Sequence, residues 1–198
     1  MYHIGLEKNL ECIKIIKNSF VTEIIPHEIE EVYMKHVHKQ TYDSKEALYK
    51  DLNQQLTEIL ADETHWIPNL SNASALLWHV LDDINWAGFY IAKKNKLFLG
   101  PFQGLPACTG IEFGTGVCGT AAQTREIQVV PNVNEFPGHI ACDGETKSEI
   151  VVPLVWNDEV VGVLDIDSPI FNRFDNEDAK GLEVFAQIIL NSVNWEEV

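Results

Sequence analysis

From Leu6 onward, apolar residues recur at Leu10, Ile13, Ile16 and Phe20, the three- and four-residue steps of an amphipathic helix that must end before Pro26. Periodicity then fades up to Tyr42 through a stretch holding His27, His36 and His38 among Lys and Gln, a composition that reads as a solvated or partner-facing segment rather than a metal site. Residues 1–42 are therefore expected to form an appendage, a helix plus an irregular segment, to a domain at 43–198. Asp43 or Ser44 supplies an N-cap for a second helix whose stripe is Leu48, Leu52, Leu56, Ile59 and Leu60. A third helix is predicted from about Asn69 to Asp82, burying Leu70, Ala73, Leu77, Val80 and Leu81.

The hydrophobic period then shortens. Residues 86–91 read as a strand, Lys94-Asn95-Lys96 as a turn and residues 97–102 as the strand's partner. Residues 149–156 and 160–165 repeat the arrangement around Asn157-Asp158, and two hairpins imply an antiparallel sheet. A short strand at 111–113, a short helix at 117–124 and a final helix opening at Asp175, with Leu182, Phe185, Ile189 and Val193 on one face, complete the pattern. Helices gather at the ends and strands in the middle, without strict alternation, so the fold class is α+β.

Composition narrows the function. The 198 residues are 45% hydrophobic, enough for one sizeable core, and 14 Lys+Arg against 30 Asp+Glu leave a net charge of −16 that disfavours nucleic acid and anionic lipid as partners. No apolar run approaches the ~18 residues of a membrane span and no signal-peptide pattern opens the chain, so the cytoplasm is the expected compartment. In that setting Cys12, Cys108, Cys118 and Cys142 are not a structural disulfide framework.

Three motifs carry chemical potential. Gly114-Thr-Gly-Val-Cys-Gly119 matches GxGxxG, but the strand before it is short and no acidic residue closes a following strand, which argues against a dinucleotide. A tight loop entering a short helix is the simpler reading, and its free N–H groups suit a small carboxylate. Cys108, Cys118 and Cys142 with His139 suggest zinc, yet only His139-x-x-Cys142 has the close pairing of structural zinc ligands. Cys108 and Cys142 instead lie in Gly/Pro-punctuated loops where reactive thiols reach solvent, whereas Cys118 reads equally well as a buried, inert thiol. Finally, Glu149 begins one strand and Asp165 and Asp167 sit two apart on the next, pointing the aspartates to one face; carboxylates so close repel, and one is expected to keep a proton. Trp86, Phe89 and Tyr90 read as core aromatics, any of which could equally wall a pocket.

The segments Asn85-Trp-Ala-Gly-Phe-Tyr90, Leu99-Gly-Pro-Phe-Gln-Gly104, Gly116-Val-Cys-Gly-Thr120, Gly138-His-Ile-Ala-Cys142-Asp, Lys147-Ser-Glu-Ile150 and Gly162-Val-Leu-Asp-Ile-Asp167 resemble, in order and spacing, the free methionine-(R)-sulfoxide reductases, a GAF-domain family. The resemblance covers roughly residues 48–193 and does not extend to the start of the chain or to Cys12. It implies a GAF-like fold, with a central antiparallel sheet, helices packed on one side and a loop-roofed pocket on the other. It further implies reduction of the free amino acid's R-sulfoxide with thioredoxin as reductant, no metal or organic cofactor, and a homodimer. By motif, Cys142 is the implied nucleophile, Cys108 its resolving partner and Cys118 an accessory thiol or the alternative nucleophile. Glu149, Asp165 and Asp167 would hold the ammonium and polarise the sulfoxide oxygen, while Trp86 and Tyr90 pack on the methyl thioether. The alternative is a GAF small-ligand sensor without catalysis, which would need an output segment.

Overall fold

The computed structural model describes residues 37–139 and 144–198. The helix expected from Leu6, together with Cys12, His27, His36 and Cys142, lies outside the described residues. Residues 37–198 form one compact unit.

Helix α1 (Lys45–Leu60) starts at Ser44, whose hydroxyl accepts the Ala47 N–H. It buries Leu52, Leu56, Ile59 and Leu60 of the expected stripe, together with Tyr49 and Gln55. The segment before it is held to its surface. The His38 N–H donates to Gln55 Oε1, and the Tyr42 hydroxyl donates to Asp51 Oδ2 at 2.6 Å. Helix α2 (Trp66–Val80) begins earlier than the periodicity suggested, because His65 caps it and Pro68 falls in its first turn, where a missing N–H costs nothing. Helix α4 (Asn176–Ser192), after the short α3 described below, is opened by a capping box between Asp175 and Asp178. Asp178, 1% exposed, also accepts from the Tyr49 hydroxyl at 2.9 Å and pairs with Lys45 and Arg173, which fastens α1 to α4.

Strands β1 (Trp86–Lys93), β2 (Lys96–Gly104), β3 (Gly110–Glu112), β4 (Gln128–Val130), β5 (Ser148–Trp156) and β6 (Glu159–Ser168) form one six-stranded sheet in the order β3-β2-β1-β6-β5-β4. Every neighbouring pair is antiparallel. Both expected hairpins are present, each extended by a few residues.

Alternation along the central strands divides the interior into two layers. Ala87, Phe89 and Ile91 of β1, Ile150, Val152 and Leu154 of β5, and Leu164 and Ile166 of β6 pack with α1, α2 and α4 in the main core. Their alternates Trp86, Tyr90, Val151 and Val163 pack on the other side with α3 (Gly116–Thr124) and its loops. The arrangement is α+β, with three helices on one face and a cavity under the loops of the other.

Candidate active site

Register places the polar side chains of that second face. Trp86 stands opposite Asp167 and Gly88 opposite Asp165 across β1 and β6, while Glu149 stands opposite Asp167 across β5 and β6. Directly opposed Cβ atoms in such a ladder lie about 4.5–5.5 Å apart, so Trp86, Asp167 and Glu149 form one row across three strands and Asp165 begins the next. Side chains from the sheet, α3 and the loops line a cavity on this face. Its walls include Trp86, Tyr90, Cys118, His139, Glu149 and Asp165.

Helix α3 roofs one side, and the GxGxxG motif explains how. Gly116 has φ +62°, the left-handed region that suits glycine. A Cβ at Gly119 would stand 2.3 Å from the Glu112 carbonyl oxygen, so only glycine lets α3 close on β3. Thr115 occupies the N-cap position without a side-chain capping bond. The amino end of α3 therefore opens toward the cavity, which Thr115, Gly116 and Val117 also line, with backbone N–H groups lacking intrahelical partners.

The floor is acidic and buried. Glu149 and Asp165 are each 6% exposed, and Cys118, at 4%, donates its thiol to Glu149 Oε1 at 3.9 Å. Burial, reinforced by the Asp165 and Asp167 carboxylates, raises Glu149 well above the usual carboxylate range. Burial also pushes Asp165 up, to about 6. The hydrogen bond between the two acids favours the proton on Glu149, so the pair enters neutral pH with Glu149 protonated and Asp165 ionised. The Cys118 thiol is driven up by burial and by both acids, and stays a thiol. His139 Nε2 lies 3.9 Å from Glu149 Oε2, and burial lowers its pKa, leaving it neutral. Ligand atoms of Cys118, Glu149 and Asp165 fall within 4.8 Å of one another, close enough for a metal ion, which would have to displace the protons from Cys118 and Glu149.

Of the buried polar side-chain atoms with no hydrogen-bond partner among the described residues, Asp165 Oδ1 and Trp86 Nε1 belong to cavity walls. Such groups are costly unless something else satisfies them. Trp86 is stacked between Tyr90, at 5.8 Å between ring centroids, and Phe102, at 5.2 Å. Cys108 stands half-buried on the loop after β2 and is disulfide-bonded, while Cys118 is a free thiol.

Residues 53–193 match the family model of the GAF domain. The free methionine-R-sulfoxide reductase of Saccharomyces cerevisiae is 50% identical over 165 residues, which cover 79% of this chain and 92% of that protein. That of Escherichia coli is 49% identical over 146 residues, covering 73% and 88%. The chain belongs to the GAF-domain family of free methionine-R-sulfoxide reductases. The crystal structure of the Neisseria meningitidis free methionine-R-sulfoxide reductase in complex with its substrate superposes with a TM-score of 0.79 at 40% identity, covering 83% of this chain and 98% of that one.

Within this family fold, Trp86, Tyr90, Glu149, Asp165, Asp167 and Cys118 line one cavity. Cys142 lies outside the described residues. The sequence suggests His139 only as a zinc partner of Cys142; in the structure its ring lies beside Glu149 of β5, a contact that local spacing does not reveal. Thr146, 8% exposed and also on the cavity wall, gave no sequence signal.

Proposed function

We propose that the chain reduces free methionine R-sulfoxide to methionine at this cavity, with electrons from thiols. The geometry that carries the reading is the buried Glu149–Asp165 pair, whose burial favours a proton on Glu149, set under an aromatic wall. Reduction of a sulfoxide needs an acid beside the S=O oxygen, and an ionised carboxylate cannot supply one. Glu149 is such an acid. Asp165 and Asp167 then meet the α-ammonium, the amino end of α3 meets the α-carboxylate, and Trp86 with Tyr90 holds the methyl thioether.

In the proposed sequence the Cys142 thiolate attacks the sulfoxide sulfur and the oxygen takes a proton from Glu149. Transfer of that oxygen to the enzyme sulfur releases methionine and leaves a Cys142 sulfenic acid. Cys108 condenses with it, water leaves, and a Cys108–Cys142 disulfide forms, to be reopened by thioredoxin acting as a two-electron dithiol donor. The disulfide-bonded state of Cys108 beside a free Cys118 supports this division of labour. The raised pKa of Cys118 supports it further, since the thiol form is a poor nucleophile.

In this reading the catalytic domain is 43–198, preceded by an appendage, and the working form is a homodimer. Ile67 and Trp78, 48% and 43% exposed on α2, offer apolar surface that a second copy would cover. The decisive assay supplies the R and S sulfoxides of free methionine separately with dithiothreitol and measures methionine. Consumption of the R form alone is expected, and a chain that binds the R-sulfoxide without releasing methionine would be a sensor instead.

A further inference from the structure

Between Lys96 and Glu112 the chain carries no charged residue, although 22% of the whole is charged. The two ends of this stretch pair in the ladder and through an ion pair of 3.0 Å, so it forms a neutral lobe closed at its base. At its tip, after the glycine at 104 with φ +133°, Leu105 is 61% exposed, followed by Pro106 and then by Ala107 and the disulfide-bonded Cys108. An exposed leucine three residues before a redox-active sulfur, on a protein of net charge −16, is an apolar contact placed where a reductant must approach. Pro106 fixes its own φ and removes one backbone donor from the segment.

We propose that the 104–108 segment is the docking surface for the protein dithiol that recycles the enzyme, and that Cys108 is the sulfur it attacks. The inference rests on the reductase reading above and adds the partner's binding site and the point of attack. The partner's thiolate bonds to Cys108 Sγ as the enzyme disulfide breaks, and the other enzyme cysteine leaves as a thiolate that takes up a proton. The partner's second thiol then attacks its own sulfur in the mixed disulfide. Cys108 is released reduced, and the partner is left as an intramolecular disulfide carrying away two electrons' worth of oxidation.

The test measures turnover of free methionine R-sulfoxide with two reductants, dithiothreitol and thioredoxin regenerated by its reductase and NADPH. For Leu105→Asp, the ratio of thioredoxin-driven to dithiothreitol-driven turnover is expected to fall at least about tenfold, the scale of losing one buried apolar contact, and to recover in Leu105→Met. Using the ratio removes any change in substrate handling at the cavity mouth. In parallel, oxidised enzyme is mixed with thioredoxin lacking its second cysteine, and the trapped mixed disulfide is mapped by mass spectrometry. A bond to Cys108 supports the proposal and a bond to Cys142 overturns it. An unchanged ratio in Leu105→Asp overturns the docking surface, and if that variant also dissociates a dimer, the leucine serves a second copy of the chain. Absence of wild-type activity with dithiothreitol would instead sink the reductase reading itself.

Discussion

Glu149 stands directly across the β5–β6 ladder from Asp167, with Asp165 one pleat further along the same face. Three carboxyl groups thereby face one cavity, a placement that stability alone would not select, because each ionisation opposes the next.

Replacing Glu149 with Gln removes the acid while keeping a neutral side chain of the same shape. The rate of methionine release in a single turnover is expected to fall by about 100-fold or more, the usual contribution of a placed general acid. The melting temperature should not fall, because Glu149 is already uncharged in the native state. Rapid-quench assays and thermal melts on the same preparation check both halves.

Asp165 makes stability depend on pH. Its pKa is raised from 3.8 to about 6 on folding, so the native state binds the extra proton and this contribution is full below about pH 4 and lost as pH rises through 6. A shift of this size corresponds to about 3 kcal/mol. Asp165→Asn should reduce the pH 4–6 slope in denaturant melts, leaving the share that Glu149 contributes, raise stability at pH 7.5, and damage activity. A variant less stable than wild type at pH 7.5 would contradict the buried ionised state.

The substrate's ammonium should be indispensable. A charged acceptor left buried without its partner costs on the order of 1–3 kcal/mol or more, so N-acetylated or peptide-bound methionine sulfoxide is expected to react at least ~100-fold more slowly in kcat/KM than the free amino acid. Comparable values would remove Asp165 and Asp167 from ammonium binding.

Cys142 and Cys108 separate by timing. Cys142→Ser should release no methionine even once, because a hydroxyl is a weak nucleophile at neutral pH. Cys108→Ser should release about one equivalent and then stall with thioredoxin. A full burst from Cys142→Ser would transfer the attack to Cys118.

Gly119→Ala tests the roof of the site. The added methyl would meet the Glu112 carbonyl oxygen at 2.3 Å, so α3 must back away from β3 and take Cys118 with it. A loss of about 1–3 kcal/mol in denaturant melts is expected.

Elements with a strong period were legible in the sequence. The hairpins showed because one face of each strand must be apolar against the helices, and α1 and α4 announced themselves through their caps and stripes. Strand β4 gave no signal. Gln128-Val129-Val130 is too short for a period and exists because β5 offers an edge. The start of α2 was hidden by Pro68, which ordinarily marks a boundary but is tolerated inside a first turn. At the site, residue types and strand parity brought out the acids and the aromatics. What the sequence left open was which acid keeps the proton. That depends on burial and on the mutual geometry of side chains from α3, β5 and β6, which only the folded chain brings together. For the same reason His139 pointed toward the nearby Cys142 rather than toward Glu149.

Neighbouring residues on β1, β5 and β6 serve opposite faces of the sheet, and this divides the positions open to change. Substitutions at 86, 90, 149, 165 and 167 alter what the cavity holds. Those at 87, 89, 150, 152, 164 and 166 alter whether the helices stay attached. Selection for a different small ligand therefore has a set of sites to explore that barely intersects the set maintaining the fold, and a library built on the first parity alone should return mostly folded variants with altered binding.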